Sequence, residues 1–186
     1  MSHNLSNTLS ETQPRTLSRI HVCSMARVAD MTRETGARSL VTLINRGTRV
    51  ERPAAIAEEN HLFVAVSDII ADMEGEILPG ETHVTSLLEF VQRWDHSAPL
   101  IIHCFAGVSR STAAAFITAC ALRPDRDEDA IARQIRIASP TATPNVRLVA
   151  VADALLGRSG RMIAAVERIG RGTDCFEGIP FALDLH

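Results

Sequence analysis

Apolar residues recur along this chain in two rhythms, short unbroken runs and helical spacings, and their order predicts strands and helices in alternation, then helices alone. Residues 20–23 form a short apolar strand candidate. Helical spacing at Met25, Val28 and Met31 follows, up to Gly36, a residue suited to ending a helix. Residues 39–44 read as a better strand, and after a polar, alanine-rich region opened by Pro53, residues 62–66 read as a buried strand ending at Ser67 and Asp68. Residues 69–80 hold Asp72, Glu74, Gly75, Glu76, Pro79 and Gly80 without regular pattern and predict a surface loop. Val84, Leu87, Leu88 and Val91 fall at i, i+3, i+4 and i+7, which predicts a helix over 81–94 with acidic Glu81 at its favourable end. Pro99 then precedes Leu100-Ile101-Ile102-His103, the continuous apolar run of a central parallel strand covered on both faces, and this strand delivers Cys104.

Beyond Gly107, residues 110–122 are alanine-rich and helix-prone, and the acidic run Asp127-Glu128-Asp129 suits the start of a further helix. Thr143-Pro144 offers an N-cap and first-turn pair for a helix whose apolar face is Leu148, Val149, Ala152, Leu155 and Leu156 and which Gly157 stops. A short helix is expected around 162–169, and the rest of 158–186 is loosely patterned. Residues 1–17 are polar and aperiodic and read as a flexible arm, leaving 18–186 as a single domain. Strands alternating with helices imply an α/β domain with a small, mostly parallel central sheet flanked by helices. Ligands of such sheets bind beyond the strand carboxyl ends, where Asp68 and Cys104 both fall.

Composition narrows the picture by exclusion. All 19 positive residues are arginines, scattered through a chain of formal charge -3, so nothing favours nucleic acid or an anionic membrane as partner. The apolar runs fall short of the ~20 residues of a membrane span, and residues 1–18 lack the pattern of a secretory signal, so a cytoplasmic protein is expected. Cys23, Cys104, Cys120 and Cys175 are widely spaced without a CxxC pair, which fits reduced thiols. His21, His61, His83 and His96 lack metal-ligand spacing and read as surface or structural residues, so neither metal nor other cofactor is expected. Arg158 and Arg161 read as a helix-end cation cluster or, less simply, as an anion patch.

The chemistry concentrates in His103-Cys104-Phe105-Ala106-Gly107-Val108-Ser109-Arg110-Ser111. A cysteine and an arginine bracket a five-residue loop that joins a strand to a helix. The backbone N–H groups from Phe105 to Arg110 can curl around a dianion, and the helix adds its positive end at the same point. Gly107 permits backbone conformations a side chain forbids, while the guanidinium of Arg110 forms a planar fork for phosphate oxygens. The same field favours a thiolate, making Cys104 a ready nucleophile. His103 is placed to orient the loop, Ser111 to hydrogen-bond the sulfur, and Ser109 to line the cradle. Phosphoryl transfer also needs a proton donor for the leaving oxygen; Asp68, at a strand end opening an irregular loop, is the first candidate and Asp72 the competitor.

HCFAGVSRS at 103–111 resembles the HCxxGxxR[S/T] signature of the cysteine-dependent protein tyrosine phosphatase superfamily. Residues 18–157 are similar in layout to its compact dual-specificity-like members, bacterial tyrosine phosphatase-like proteins in particular. The resemblance implies a phosphotyrosine protein phosphatase-like fold, Cys104 as nucleophile, Arg110 as phosphate clamp, Ser111 as the hydroxyl assisting thiolate release and Asp68 as general acid. Two departures stand out: no WPD tripeptide surrounds Asp68, and the chain has no tyrosine, so the loop that sandwiches phosphotyrosine in the larger enzymes is not recognisable. The loop interior, Phe105, Ala106, Val108 and Ser109, lacks the lysines of phosphoinositide-directed relatives. Thr141, Thr143 and Asn145 lie where relatives place a second polar loop. The expected function is therefore hydrolysis of phosphomonoesters through a cysteinyl-phosphate, on a phosphorylated protein or a small phosphoester. Alternative readings are an inositol phosphate or RNA 5′-phosphate substrate, arsenate reduction, and a phosphate-binding module without turnover.

Overall fold

Four runs rich in β-branched residues and leucine become parallel strands, because such side chains pack well on a half-buried or fully buried pleated surface. The computed structural model describes residues 19–185; the arm expected over residues 1–17 lies outside the described residues. The strands are β1 (Arg19–Ser24), β2 (Ser39–Ile44), β3 (His61–Ala65), β4 (Leu100–Cys104) and a final β5 (Phe181–Asp184). They form one sheet in the order β3-β2-β4-β1-β5, parallel except for β5, which runs antiparallel to β1 with Ile20 opposite Leu183. Central β4 is buried at every position, as its unbroken apolar run requires. Residues 62–66 instead belong to an edge strand: Phe63 is 45% exposed, so the apolar run there does not mean burial on both faces.

The helices are α1 (Val28–Thr35), α2 (Glu81–Arg93), α3 (Arg110–Leu122), α4 (Glu128–Ala138), α5 (Val146–Leu155) and α6 (Arg161–Ile169). Alternation along the strands divides the core. Cys23, Leu40 and Ile101 pack with Val28 and Met31 of α1 on one face, while Val22, Val41 and Ile102 join the larger core under α2 to α6 on the other. Helix α3 is buried from Arg110 to Cys120, which explains its alanine and small-residue content: a helix covered on all sides must be apolar all round. It lies against the sheet and is covered by α2, α4 and α5.

Two expectations are corrected here. Asn145, not Thr143, caps α5, its side chain accepting from the N–H groups of Arg147 and Leu148; the Thr143 hydroxyl is engaged elsewhere, accepting from Gly172 N–H. Arg158 and Arg161 are neither a bare cation cluster nor an anion patch. Both pair with Glu128, at 2.9 and 3.2 Å, and Arg158 also donates to the Cys120 carbonyl, tying α6 to α4 and the turn before α6 to both α4 and α3.

The chain after α6 returns to the carboxyl end of the sheet. Residues 170–180 pass beside the loop that follows β4: Ile179 N–H donates to Thr141 Oγ1, Ser24 Oγ donates to Glu177 at 2.5 Å, and Gly178 N–H donates to the Ala106 carbonyl. The approach is so close that a Cβ on Gly178 would lie 2.6 Å from the Gly107 oxygen.

Candidate active site

The loop between β4 and α3 owes its shape to where its carbonyls go. Phe105 C=O accepts from Met25 N–H at 3.1 Å, Ala106 C=O from Gly178 at 2.8 Å, Val108 C=O from Thr143 at 2.9 Å and Ser109 C=O from Asn145 at 3.3 Å. In a planar trans peptide the following N–H points the opposite way. The N–H groups of Ala106, Gly107, Ser109 and Arg110 therefore turn to the side away from these partners. Gly107 N–H shows what lies there, since it donates to Cys104 Sγ at 3.3 Å. The N–H groups of Ala106, Ser109 and Arg110 have no acceptor among the described residues, an arrangement of converging donors suited to an anion. Gly107 makes the turn possible with a φ of +73°, and a Cβ there would meet Cys23 and Ser24 backbone atoms at 2.7 Å.

Arg110 begins α3 and is 5% exposed. Its Nη1 donates to Asn45 Oδ1 at 2.7 Å and to the Val66 carbonyl at 2.8 Å, so the ends of β2 and β3 set the plane of the guanidinium. Its Nε is buried without a hydrogen-bond partner among the described residues. A buried, unpaired donor on a fixed cation is an unmet demand for an acceptor, and a phosphate oxygen in the cradle would meet it. Ser111 Oγ lies 3.2 Å from Cys104 Sγ, close enough to donate to a thiolate.

His103 sits fully buried on the α1 side of β4. Burial pushes its pKa down to about 4, aided by the charges of His61 and Arg110 and opposed by the hydrogen bond to the Cys104 carbonyl. The ring is therefore neutral and carries one N–H. With Nδ1 3.3 Å from the Cys104 carbonyl, which only accepts, that proton belongs on Nδ1. Nε2 then accepts from Thr42 Oγ1 at 2.7 Å, and the same hydroxyl accepts from His61 Nε2 at 2.8 Å. This one-way chain anchors the cysteine's own carbonyl from the sheet.

Asp68 follows β3 and opens a loop closed at its base by Ser67 and Ile77, whose backbone and side-chain groups exchange hydrogen bonds. Its Oδ1 accepts from Ser109 Oγ at 2.6 Å and from Asn145 Nδ2 at 2.8 Å. An exposed carboxyl is thereby tied directly to the cradle. Asp72 lies exposed farther along the same loop, with no hydrogen bond to the cradle. Of the second polar loop, Thr143 and Asn145 reach the cradle through their backbone N–H groups, and Thr141 reaches the 170–180 segment.

Cys23 and Cys120 are buried thiols pushed up to about 12, in each case chiefly by burial. No group of three or more His, Cys, Asp or Glu suited to a metal occurs among the described residues. Surface concavities apart from the cradle include two, one of about 420 Å³ lined by Glu81, Arg147 and Val151 among others and one of about 340 Å³ along the outer edge of β3. Neither contains the cysteine.

The fold brings Cys104, Arg110, Ser111, His103 and Asp68, all singled out from the sequence, to the loop after β4. Sequence reasoning missed Asn45 as the partner of Arg110 and Gly178 as a support of the loop, because both bonds join residues far apart in the chain and neither residue stands in a recognisable pattern.

Residues 76–140 match the family model described as protein-tyrosine phosphatase. That stretch contains the whole cradle and begins after Asp68. A search of curated proteins found no match. Among solved structures, Cydia pomonella PTP-2 phosphatase superposes with a TM-score of 0.57 at 18% identity, covering 73% of this chain and 84% of that one. Human DUSP28 gives 0.56 at 18% identity over 75% and 94% of the two chains. A mouse putative dual specificity phosphatase, solved with zinc tungstate, gives 0.52 at 20% identity over 88% and 98%.

Proposed function

We propose that this chain, whose residues 76–140 match the protein-tyrosine phosphatase family model and whose fold is similar to that of dual specificity phosphatases, is a cysteine-dependent phosphatase that hydrolyses phosphomonoesters of protein tyrosine, with serine or threonine as further substrates, through a cysteinyl-phosphate. The observation that carries this reading is the set of unpaired donors, three loop N–H groups and Arg110 Nε, on the loop that bears Cys104 Sγ. In the first step Cys104 Sγ attacks phosphorus in line, the S–P bond forms and the P–O bond to the leaving group breaks. Asp68 gives its proton to the departing oxygen. The loop N–H groups and Arg110 hold the three equatorial oxygens, where charge spreads in the transition state. In the second step water attacks phosphorus and yields a proton to Asp68, the S–P bond breaks, and Ser111 Oγ–H stabilises the thiolate released.

Two features bear on the substrate. Phe105, directly after the nucleophile, is 63% exposed, and Ile70, two residues after Asp68, is 64% exposed, so the approaches to the cradle offer apolar surface to an aromatic phosphoester. The cradle interior carries no lysine to meet additional phosphates. PTPMT1, a structural neighbour at 12% identity, was solved with PI(5)P, which puts a phosphoinositide on the test panel beside phosphotyrosine peptides.

The test is hydrolysis of 4-nitrophenyl phosphate with a metal chelator present. Turnover by the unmodified protein, a loss of about 10³-fold or more in Cys104→Ser and a fall of about 10²-fold in Asp68→Asn are expected. Undiminished turnover in Cys104→Ser would refute the mechanism.

A further inference from the structure

Asn145 is 4% exposed and touches three parts of the site at once. Its Oδ1 accepts from Arg147 and Leu148 N–H, at 3.1 and 3.0 Å, and so caps α5. Its backbone N–H donates to Ser109 of the cradle at 3.3 Å, and its Nδ2 donates to Asp68 Oδ1 at 2.8 Å and to the Ile69 carbonyl at 3.4 Å. The amide has only one workable orientation. Turned over, it would set NH2 against two backbone N–H groups and oxygen against a carboxylate and a carbonyl. The cap thus forces a donor onto Asp68.

Ser109 Oγ adds a second donor, at 2.6 Å, to the same oxygen of Asp68. A proton on Oδ1 would have to displace one of these bonds, whereas Oδ2 accepts from no residue among those described. We propose that Asn145 is a positioning residue which, together with Ser109, confines the transferable proton of Asp68 to Oδ2 and holds that oxygen over the cradle. This rests on Asp68 being the general acid. Asn145 touches neither substrate nor reacting atom; it acts through Asp68, and helix α5 acts through it.

The role separates from simple scaffolding by leaving-group dependence. A phenol that leaves readily needs no proton, whereas a poor leaving group needs one in the transition state. Asn145→Ser keeps an oxygen able to cap α5 but removes the donor to Asp68. Turnover is measured for the unmodified protein, Asp68→Asn, Asn145→Ser and the double variant on aryl phosphates ranging from dinitrophenyl to unsubstituted phenyl, with thermal midpoints alongside. Asn145→Asp, which also retains a capping oxygen and presents a repelling carboxylate to Asp68, is run in parallel in case the serine variant folds poorly. Asn145→Ser is expected to change dinitrophenyl phosphate hydrolysis by less than about twofold and phenyl phosphate hydrolysis by about 10- to 100-fold, since misplacing a catalytic group by an ångström has effects of that size. Added to Asp68→Asn it should cause no further loss. An equal fall across the series, or none, in both Asn145 variants overturns the inference while leaving the phosphatase reading intact. A flat leaving-group dependence in Asp68→Asn overturns the assignment of the acid and the inference with it. No turnover of any ester by the unmodified protein overturns both the inference and the function it rests on.

Discussion

Replacing Gly107 with alanine tests whether the cradle is held as tightly as its backbone contacts imply. Two costs arise. At φ +73° an L-residue loses about 1–2 kcal/mol relative to glycine. The added Cβ would also sit 2.7 Å from the Cys23 carbonyl carbon and the Ser24 nitrogen. Comfortable contact between carbon atoms begins near 3.5 Å, so the overlap is of the order of 0.8 Å. It is with backbone of β1, which is itself paired to β4 and cannot yield cheaply. Overpacking of this kind costs about 1–3 kcal/mol, for a sum of about 2–5 kcal/mol. At about 2–4 °C per kcal/mol for a domain of this size, the melting temperature should fall by roughly 10 °C. A displacement approaching 1 Å should also lower aryl phosphate turnover by about 10²-fold. Gly36→Ala supplies the control: Gly36 ends α1 at φ +69° with nothing within 4 Å of its would-be Cβ, so it carries the backbone term alone. That variant should melt only a few degrees lower, by about 1–2 kcal/mol, with turnover unchanged. If Gly107→Ala melts no lower than Gly36→Ala and keeps full activity, the loop is free to relax and the reasoning fails.

Acid should unfold this protein through its histidines. The buried ring of His103 titrates at about 4 when folded and near 6.5 when unfolded, so the unfolded chain binds the proton first as pH falls. The stabilisation is fully present above pH 6.5 and is lost toward pH 4, by at most about 3 kcal/mol for a shift of this size. His21 and His61, both lowered by burial, act in the same direction. Urea titrations between pH 7 and 4.5 should show the decline, and His103→Gln should flatten it; a decline of equal steepness in that variant would exclude His103 as its source. Iodoacetate at pH 7 should carboxymethylate exposed Cys175 and the cradle's Cys104, with phosphate protecting only the latter. It should spare Cys23 and Cys120, whose thiols are pushed up to about 12. Peptide mass spectrometry reads the pattern, and modification of Cys23 in the folded protein would contradict it.

What was legible in the sequence follows the range of the forces involved. Helix α3 spans residues 110–122 and β2 spans 39–44 as the pattern predicts, because an alanine-rich run and an uninterrupted apolar run are each decided by neighbours in the chain. The cradle was legible for the same reason, being nine consecutive residues whose chemistry and local geometry coincide. Edge and centre could not be told apart. The run ending in Val66 is as apolar as the one ending in Ile102, and only sheet order leaves Phe63 exposed. Strand β5 is four residues long and exists because β1 offers it an edge, a pairing between residues 165 apart for Arg19 and Asp184. The cap of α5 was misread because Thr-Pro and Asn are both good start signals, and the choice between them was made by Gly172 and Asp68, which lie outside the helix. The hydrogen-bond partners of Asp68, Ser109 and Asn145, are 41 and 77 residues away in the chain and leave no local trace.

The four tethers that draw the cradle's carbonyls outward come from Met25, Thr143, Asn145 and Gly178, all of them bonds within the protein itself. A ring whose donors are aimed in advance recognises the shape and charge of a tetrahedral oxyanion. Inorganic phosphate, released at the end of the proposed cycle, has the same shape and charge. Preorganisation that serves the transition state thus also retains the product, and the working rate of such an enzyme answers to the phosphate around it as well as to its substrate.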